Sequence, residues 1–202
     1  MAKTKTENTV RFAWWGAEEL GLLGAEHYVQ DLAANDPEAL EDIALYLNFD
    51  MIGSPNHVFF IYDGDNSDGV GAGAGPAGSA QIEKTFEAFF NSRGIPFKGT
   101  DFSGRSDYGP FIAASVPSGG LFTGAEGIKT MAQALVYGGT AGVAYDACYH
   151  ALCDDITNLS STALDQMSDA IAHATLLFAM TGSSVNGTDK ASNTAQGSTL
   201  YK

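Results

Sequence analysis

Side chains that bind metals occur at three well-separated places in this chain. Glu18 and Glu19 are adjacent and follow the apolar segment 9–15, and Asp50 follows another apolar segment. His150 lies in the segment CYHALCD. Carboxylate oxygen and imidazole nitrogen are ligands that zinc accepts. Taken together, these residues indicate a zinc site more strongly than any one of them does alone.

The acidic residues also have a purely structural interpretation. Glu18 and Glu19 lie at the start of a predicted helix, where the helix dipole stabilises negative charge by roughly 0.3–1 kcal/mol. An Asp at the end of a strand, such as Asp50, often caps a turn. Each of these residues alone therefore favours the structural explanation.

Two cysteines flank the histidine. Cys148 and Cys153 are the only cysteines of the chain, and His150 lies between them. This spacing permits either a small loop closed by a disulfide or a Cys/His metal site, and it does not decide between the two.

Strand-like and helix-like segments alternate around these residues. β-Branched and aromatic residues predict strands, and apolar residues spaced three or four apart predict helices. The predicted strands are 9–15, 43–49, 58–62 and 118–122, and the predicted helices begin after Gly16 and span about 80–92 and 162–180. Segment 63–79 is rich in Gly, Ala and Asp and predicts a loop. The alternation predicts an α/β fold with helices on the faces of the sheet.

Composition excludes several classes of protein. The chain has 10 Lys+Arg and 24 Asp+Glu, a net charge of −14, so we expect neither nucleic acid nor a membrane surface as a partner. The longest nearly apolar stretch, 170–180, is about half of the ~20 residues that a membrane-spanning helix needs. No apolar signal-peptide segment occurs at the N-terminus. We expect one packed domain over 1–181 and a polar, flexible tail or linker over 182–202.

Six segments carry a resemblance to a known family. They are WWGAEELGLLGAEHYV, YLNFDMIGSPN, GRSDYGPF, GGLFTGA, YGGTAG and AYDACYHALCD. In this order they resemble the C-terminal two thirds of the secreted bacterial di-zinc aminopeptidases, which remove hydrophobic N-terminal residues, leucine especially. The resemblance covers about 9–180. It implies a three-layer mixed sheet flanked by helices, N-terminally truncated here, together with peptide substrates, a monomer and an extracellular location.

The resemblance also implies roles for individual residues. Glu18 matches the general base, which accepts a proton from the attacking water. Glu19 and His150 match ligands of one zinc, and Asp50 matches a ligand of the other. Tyr149 matches the residue that stabilises the oxyanion.

Further positions match the family's disulfide, substrate pocket and calcium site. The resemblance implies a bond between Cys148 and Cys153. The residues that match the substrate pocket are Met51, Gly104, Arg105 and Phe122. The calcium-binding pair of the family matches Asp165 and Asp169, although acidic residues near a helix start explain that pair equally well.

Two departures from the family pattern bear on activity. Ser106, Asp107 and Tyr108 replace a Ser-Asp-His sequence, which changes no metal ligand. The family takes a zinc-binding His and a bridging Asp from an HxD motif upstream of the Glu pair, and the 17 residues before Glu18 contain neither His nor Asp. We therefore expect this chain to bind at most one zinc, weakly. We also expect exposed apolar sheet surface that favours association.

Three functions remain open from the sequence. The first is a zinc aminopeptidase that prefers hydrophobic N-terminal residues such as Leu. The second is a truncated, catalytically impaired protein that acts as a binding or scaffold module, and the third is a related exopeptidase or a glutaminyl cyclase on a similar fold. The pair Glu18 and Glu19, with Tyr149 beside His150, favours the first function over the third. An HxD motif upstream in the same reading frame would separate the first from the second.

Overall fold

Short strands and longer helices alternate along the chain. The computed structural model describes residues 4–181, 185, 188–189 and 194–195. The strands are β1 (Tyr46–Phe49), β2 (Phe60–Tyr62), β3 (Lys98–Thr100), β4 (Ser118–Phe122), β5 (Thr188–Asp189) and β6 (Thr194–Ala195). The helices are α1 (Leu23–Asn35), α2 (Pro37–Glu41), α3 (Ser79–Arg93), α4 (Tyr108–Ala113), α5 (Met131–Tyr137) and α6 (Ser161–Met180), and a 3₁₀ turn spans Glu18–Leu20.

Four strands form one mixed sheet, in the order β1-β4-β2-β3. β1 is parallel to β4 and β2 is parallel to β3, whereas β2 is antiparallel to β4. Leu121 of β4 lies between Phe49 of β1 and Ile61 of β2. The carboxyl ends of β1 and β4 therefore meet at one end of the sheet, and the carboxyl end of β2 lies at the other.

Helices cover both faces of the sheet. On one face, Ile61 and Leu121 belong to a buried cluster that also contains Phe86 of α3 and residues of α6. On the other face, Tyr46 stacks on Phe111 of α4, with ring centroids 3.9 Å apart, and α1 packs beside them. This arrangement confirms the predicted three-layer α/β fold.

The longest helix, α6, owes its position to a stripe of buried apolar residues. Ala163, Met167, Ala170 and Ala174 recur at helical spacing and are fully buried. The hydroxyl of Ser160 accepts a hydrogen bond from the Ala163 N–H at 3.2 Å and so caps the first turn. No helix in the described ranges is long and apolar enough to span a bilayer.

The strand predicted over 9–15 is wrong. This segment has no regular secondary structure, and Phe12 and Trp14 are largely exposed. Trp15 alone is anchored in the core, because its ring packs against Tyr28 and Phe111. β-Branched and aromatic composition favours a strand only where a neighbouring strand supplies hydrogen bonds, and no described strand pairs with this segment.

Most of the predicted tail, 182–202, lies outside the described residues. Within it, Val185 is buried in the cluster that packs α3 against the sheet. The backbone of β5 pairs antiparallel with that of β6. The prediction of a flexible tail remains untested.

Glycines allow the central strand to be approached closely on two sides. A Cβ on Gly119 would clash with the side chain of Ile82 in α3. A Cβ on Gly120 would overlap the main-chain oxygen of Asn48 in β1, and Gly120 has φ +153°. The Gly-Gly pair of β4 is therefore required by the packing of helix and strand against it.

We expect Gly120→Ala to lower the free energy of unfolding by about 3 kcal/mol or more, because the added Cβ combines backbone strain with overpacking. Urea unfolding followed by circular dichroism measures the change. Gly16→Ala is the matched control, since an added Cβ there meets no atom within 4 Å, and its effect should stay within about 0.5 kcal/mol. Wild-type stability of Gly120→Ala would contradict the register of β1 and β4.

Candidate active site

Eight residues from four separate segments line one open cavity of about 230 Å³. The lining residues are Glu18, Glu19, Asp50, Met51, Arg105, Tyr149, His150 and Asp154. Seven of them are site residues predicted from the sequence. The fold thus brings together, at the carboxyl end of β1, four carboxylates, one histidine and one arginine.

Glu18 and Glu19 reach the cavity from a sharp turn. Ala17 has a left-handed backbone conformation with φ +57°, which costs a non-glycine residue about 1–2 kcal/mol. Gly24 lets the turn close, because its N–H donates to the Gly16 oxygen at 3.1 Å and a Cβ there would lie 2.5 Å from that oxygen. The turn directs two adjacent carboxylates toward the same cavity.

A series of side-chain hydrogen bonds fixes Asp50. The indole N–H of Trp15 donates to the Tyr46 hydroxyl at 2.9 Å, and that hydroxyl donates to Oδ1 of Asn48 at 3.2 Å. The Asn48 amide donates to Oγ of Ser106 at 2.9 Å, and Ser106 donates to Oδ2 of Asp50 at 2.7 Å. Because Asn48 and Ser106 are buried, this series sets the orientation of the carboxylate.

A small loop closed by a disulfide presents His150. Cys148 and Cys153 are bonded, as the resemblance implies, and the Ala151 N–H donates to the Cys148 oxygen at 2.8 Å. The His150 ring stacks on the ring of Tyr149 with centroids 3.9 Å apart. A disulfide across so short a loop gives little entropic stabilisation, so its main effect is to orient the imidazole.

His150 and Glu19 are in direct contact. Nε2 of the imidazole lies 2.6 Å from Oε1 of the carboxylate, and both side chains are more than half exposed. A catalytic zinc normally has three protein ligands, and these two side chains supply a nitrogen and an oxygen of the right kind. In the described part of the chain, no third His, Cys, Asp or Glu has a ligand atom within 4.8 Å of both. The described residues therefore supply two of the three protein ligands that a catalytic zinc normally has.

Electrostatics favour proton transfer at Glu18. Burial, and then the negative charges of Asp50 and Glu19, raise the pKa of its carboxyl above the ordinary value of 4.5, while His150 lowers it. A carboxyl with a raised pKa suits a group that accepts a proton and later returns it. Burial also raises the pKa of the Tyr149 hydroxyl, which keeps that hydroxyl protonated and able to donate.

Two residues predicted for the substrate pocket lie outside the cavity lining. Phe122 packs against Phe60 with ring centroids 5.9 Å apart. The Gly104 N–H donates to the Tyr108 hydroxyl at 2.9 Å. Gly104 therefore shapes the loop that carries Arg105 and does not itself reach the cavity.

Two acidic residues of the site escaped the sequence analysis. Asp154 lines the cavity, and its position directly after Cys153 in the CYHALCD segment was the available signal. Glu126 binds Arg105, with Oε1 2.6 Å from Nη1. No sequence pattern indicated this ion pair, which holds the guanidinium at the cavity edge.

Nothing in the described ranges supports the predicted calcium site at Asp165 and Asp169. Asp165 and Asp169 are both exposed on α6, and Asp169 pairs with Arg93 at 3.4 Å. Neither belongs to a group of three potential ligands within the ranges that the structure describes. The first turn of α6 contains no acidic residue, so the alternative explanation through the helix dipole, which acts within the first turn, is wrong for this pair.

Comparison with known proteins identifies the class to which this fold and site belong. The profile of Peptidase family M28 matches residues 1–175. The chain belongs to this family.

Two curated relatives are closely similar. An aminopeptidase of Pseudomonas aeruginosa is 57% identical over 176 residues, which are 87% of this chain and 32% of that protein. Leucine aminopeptidase 2 of Arthroderma otae is 53% identical over 175 residues, which are 87% of this chain and 34% of that protein. The chain thus spans about one third of the length of these relatives.

A solved structure agrees with the architecture. The zinc aminopeptidase BSAP from Bacillus subtilis superposes with a TM-score of 0.56 and 23% identity, over 79% of this chain and 33% of that chain. At this identity the likeness concerns the fold, and it confirms the open α/β arrangement.

We expect the stability of the chain to fall as pH rises from about 4 to about 6, in part because of Asp107. Oδ1 of Asp107 is buried without a hydrogen-bond partner in the described ranges, and burial together with the Asp50 charge raises the pKa of this carboxyl to about 6. The folded state therefore keeps a proton that the unfolded state has already lost in this range, and folding weakens as that proton leaves.

The variant Asp107→Asn tests this assignment in chelator-treated protein. Its melting temperature should depend less on pH between 4 and 6. At pH 7 it should be more stable than wild type by about 1–2 kcal/mol, a figure reduced for partial exposure. Asp31→Asn, at an exposed position on α1, is the control and should retain the wild-type profile. An unchanged profile in Asp107→Asn would contradict the assignment.

Proposed function

We propose that this chain carries part of the catalytic domain of a secreted, zinc-dependent aminopeptidase that removes hydrophobic N-terminal residues such as leucine. The observation that carries the proposal is the convergence of Glu18, Glu19, Asp50, Tyr149 and His150 on one cavity. Membership of Peptidase family M28 and two relatives named as an aminopeptidase and a leucine aminopeptidase support it.

Three residues would hold zinc. Glu19 and His150, which are already in contact, would bind one ion, and Asp50 would serve the second. Bound zinc supplies acidification of water and polarisation of a carbonyl. Ser106 keeps the Asp50 carboxylate in a fixed orientation for this task.

Two further residues would act on the reacting groups. Glu18 would accept a proton from the attacking water and return it to the departing amine. The hydroxyl of Tyr149 would donate to the developing oxyanion, a contact that contributes about 3 kcal/mol in comparable sites. Both side chains line the same cavity, so both can reach one scissile bond.

The cavity also suits the recognition of an N-terminal amine. Its four carboxylates attract the ammonium group of a peptide, and Asp154 is the one that has no assigned role in metal binding or proton transfer. Met51 offers an apolar contact for the first side chain of the substrate. The disulfide between Cys148 and Cys153 agrees with secretion, because such bonds persist in oxidising compartments.

One observation favours a second candidate function. The described residues supply a zinc ion at Glu19 and His150 with two protein ligands. A chain with an incomplete metal site would act as a non-catalytic binding module. Failure of the zinc-loaded chain to hydrolyse any peptide would favour this candidate.

We expect any peptidase activity of this chain to be lost with chelator and to depend on Glu18. Glu18→Ala should lower kcat for leucine p-nitroanilide by at least ~100-fold, as for the loss of a general base. Glu26→Gln, on α1 outside the cavity, is the control and should keep wild-type turnover. Retained activity in Glu18→Ala would rule out the assigned role.

We expect the chain to retain at most one zinc after saturation and dialysis, because two protein ligands, Glu19 and His150, meet in the part of the chain that the structure describes, one fewer than a catalytic zinc normally has. Elemental analysis gives the zinc content. His150→Ala should lose this zinc, whereas His27→Ala, on an exposed position of α1, should keep it. Two tightly held zinc ions with full turnover would show that other residues supply the missing ligands.

A further inference from the structure

A second group of carboxylates lies at the opposite end of the sheet from the candidate active site. Asp63 directly follows β2, Asp65 lies two residues further along, and Glu83 is on α3. One carboxylate oxygen from each lies within 4.8 Å of the others. Because β2 is antiparallel to β4, whereas β1 is parallel to it, this group is separate from the cavity that contains Asp50.

Two of these carboxylates are buried without a cation beside them. Asp63 is 2% exposed and Glu83 is 3% exposed. Among the described residues neither has an ion-pair partner, and Lys84 pairs with Asp65 alone, at 3.8 Å on the solvent side. Buried, uncompensated carboxylates are costly, so the folded protein must neutralise this charge in another way.

The hydrogen bonds of the group leave one buried oxygen without a partner. Oε2 of Glu83 accepts from the N–H groups of Gly64, at 2.9 Å, and Asp65, at 3.3 Å. Oδ2 of Asp63 accepts from the Asp68 N–H at 3.1 Å. Oδ1 of Asp63 is buried and has no hydrogen-bond partner among the residues that the structure describes. Buried polar atoms are nearly always paired, so the unpartnered oxygen of Asp63 indicates that this group of carboxylates binds a further ligand.

We propose that Asp63, Asp65 and Glu83 bind a divalent cation, with Ca²⁺ as the preferred ion. All three donors are hard carboxylate oxygens, which suit Ca²⁺ and Mg²⁺ and not the softer metals that need nitrogen or sulfur. Two donors come from consecutive parts of an irregular loop, and Ca²⁺ tolerates such flexible geometry while Mg²⁺ demands a near-ideal octahedron. Water and main-chain carbonyls of the loop would complete the 6–8 oxygens of a Ca²⁺ site.

The ion would connect several elements at this end of the sheet. The loop between β2 and α3 has no helix or strand of its own. Asp68 of this loop also accepts a hydrogen bond from the Gly99 N–H of β3 at 2.7 Å. A cation at Asp63 would therefore connect β2, the loop, α3 and, through Asp68, β3. Its effect would be on stability, at a distance from the residues assigned to catalysis.

A proton is the competing explanation for the unpartnered oxygen. Burial and the charges of Asp65 and Asp63 raise the pKa of Glu83 to about 7. A protonated Glu83 could donate to Asp63 without any metal. The two explanations differ in what they predict for added Ca²⁺ at a pH where Glu83 is largely ionised.

The experiment uses the whole chain after removal of metals by chelation, at pH 8 and without zinc. In equilibrium dialysis with radioactive Ca²⁺, the Asp63→Asn chain should bind one Ca²⁺ ion fewer than the wild-type chain. Thermal unfolding should show a rise in Tm of about 5–10 °C when Ca²⁺ is about 100-fold above its Kd, with a smaller rise for Mg²⁺. In Asp63→Asn the Ca²⁺-dependent rise should disappear. The Ca²⁺-free Tm should not fall, because the amide oxygen can still accept from Asp68.

Further variants make the outcome unambiguous. Glu83→Gln should abolish the Ca²⁺ response in the same way and replaces the first variant if that one does not fold. The matched control is the double variant Asp165→Asn with Asp169→Asn, an exposed carboxylate pair on α6, which should keep the full response. Ca²⁺ binding that persists in both Asp63→Asn and Glu83→Gln would overturn the proposal. So would a wild-type protein whose Tm at pH 8 does not change with Ca²⁺.

Discussion

The hydrogen-bonded series from Trp15 to Asp50 is the interaction on which the arrangement of the site depends. It joins an irregular N-terminal segment, β1 and the loop that carries Ser106, which are far apart in the sequence. Its central members, Asn48 and Ser106, are buried. Loss of one partner would leave another without a hydrogen bond, at a cost of about 1–3 kcal/mol. The same bonds that place Asp50 therefore also place the turn bearing the glutamate pair, since Trp15 lies just before that turn.

The elements that could be predicted from the sequence are those whose signals are local. β4 occupies the predicted range 118–122, and α3 and α6 begin within one residue of the predicted helices, because their apolar residues recur at helical spacing. Segment 9–15 has an equally clear strand composition and is not a strand. A strand is completed by hydrogen bonds to a distant neighbour, and composition alone does not show whether such a neighbour is present.

In the candidate site, too, the sequence predicts which residues take part but not every contact that depends on the fold. Glu18, Glu19, Asp50 and His150 belong to sequence motifs, and the fold places them in one cavity. Phe122 belongs to an equally clear motif and packs against Phe60 instead, since a motif fixes the position of a residue in the chain and not the direction of its side chain. The group at Asp63 and Glu83 carried no sequence signal, because their proximity depends on where α3 returns to the sheet.

The change of direction at β2 has a consequence for a chain of net charge −14. Asp50 and Asp63 follow strands that run in opposite directions on either side of β4. The two residues are offset by about three residues along the strand direction and by two strand spacings across the sheet. Together these offsets place them roughly 14 Å apart. This exceeds the Debye length of about 8–10 Å at physiological salt, so salt screens the repulsion between the solvent-exposed members of the two groups. Between the buried members, Asp63 and Glu83, and Asp50, the distance alone weakens the repulsion. The antiparallel direction of β2 thus lets a small domain carry two dense groups of negative charge. The electrostatic repulsion between them grows as the ionic strength falls.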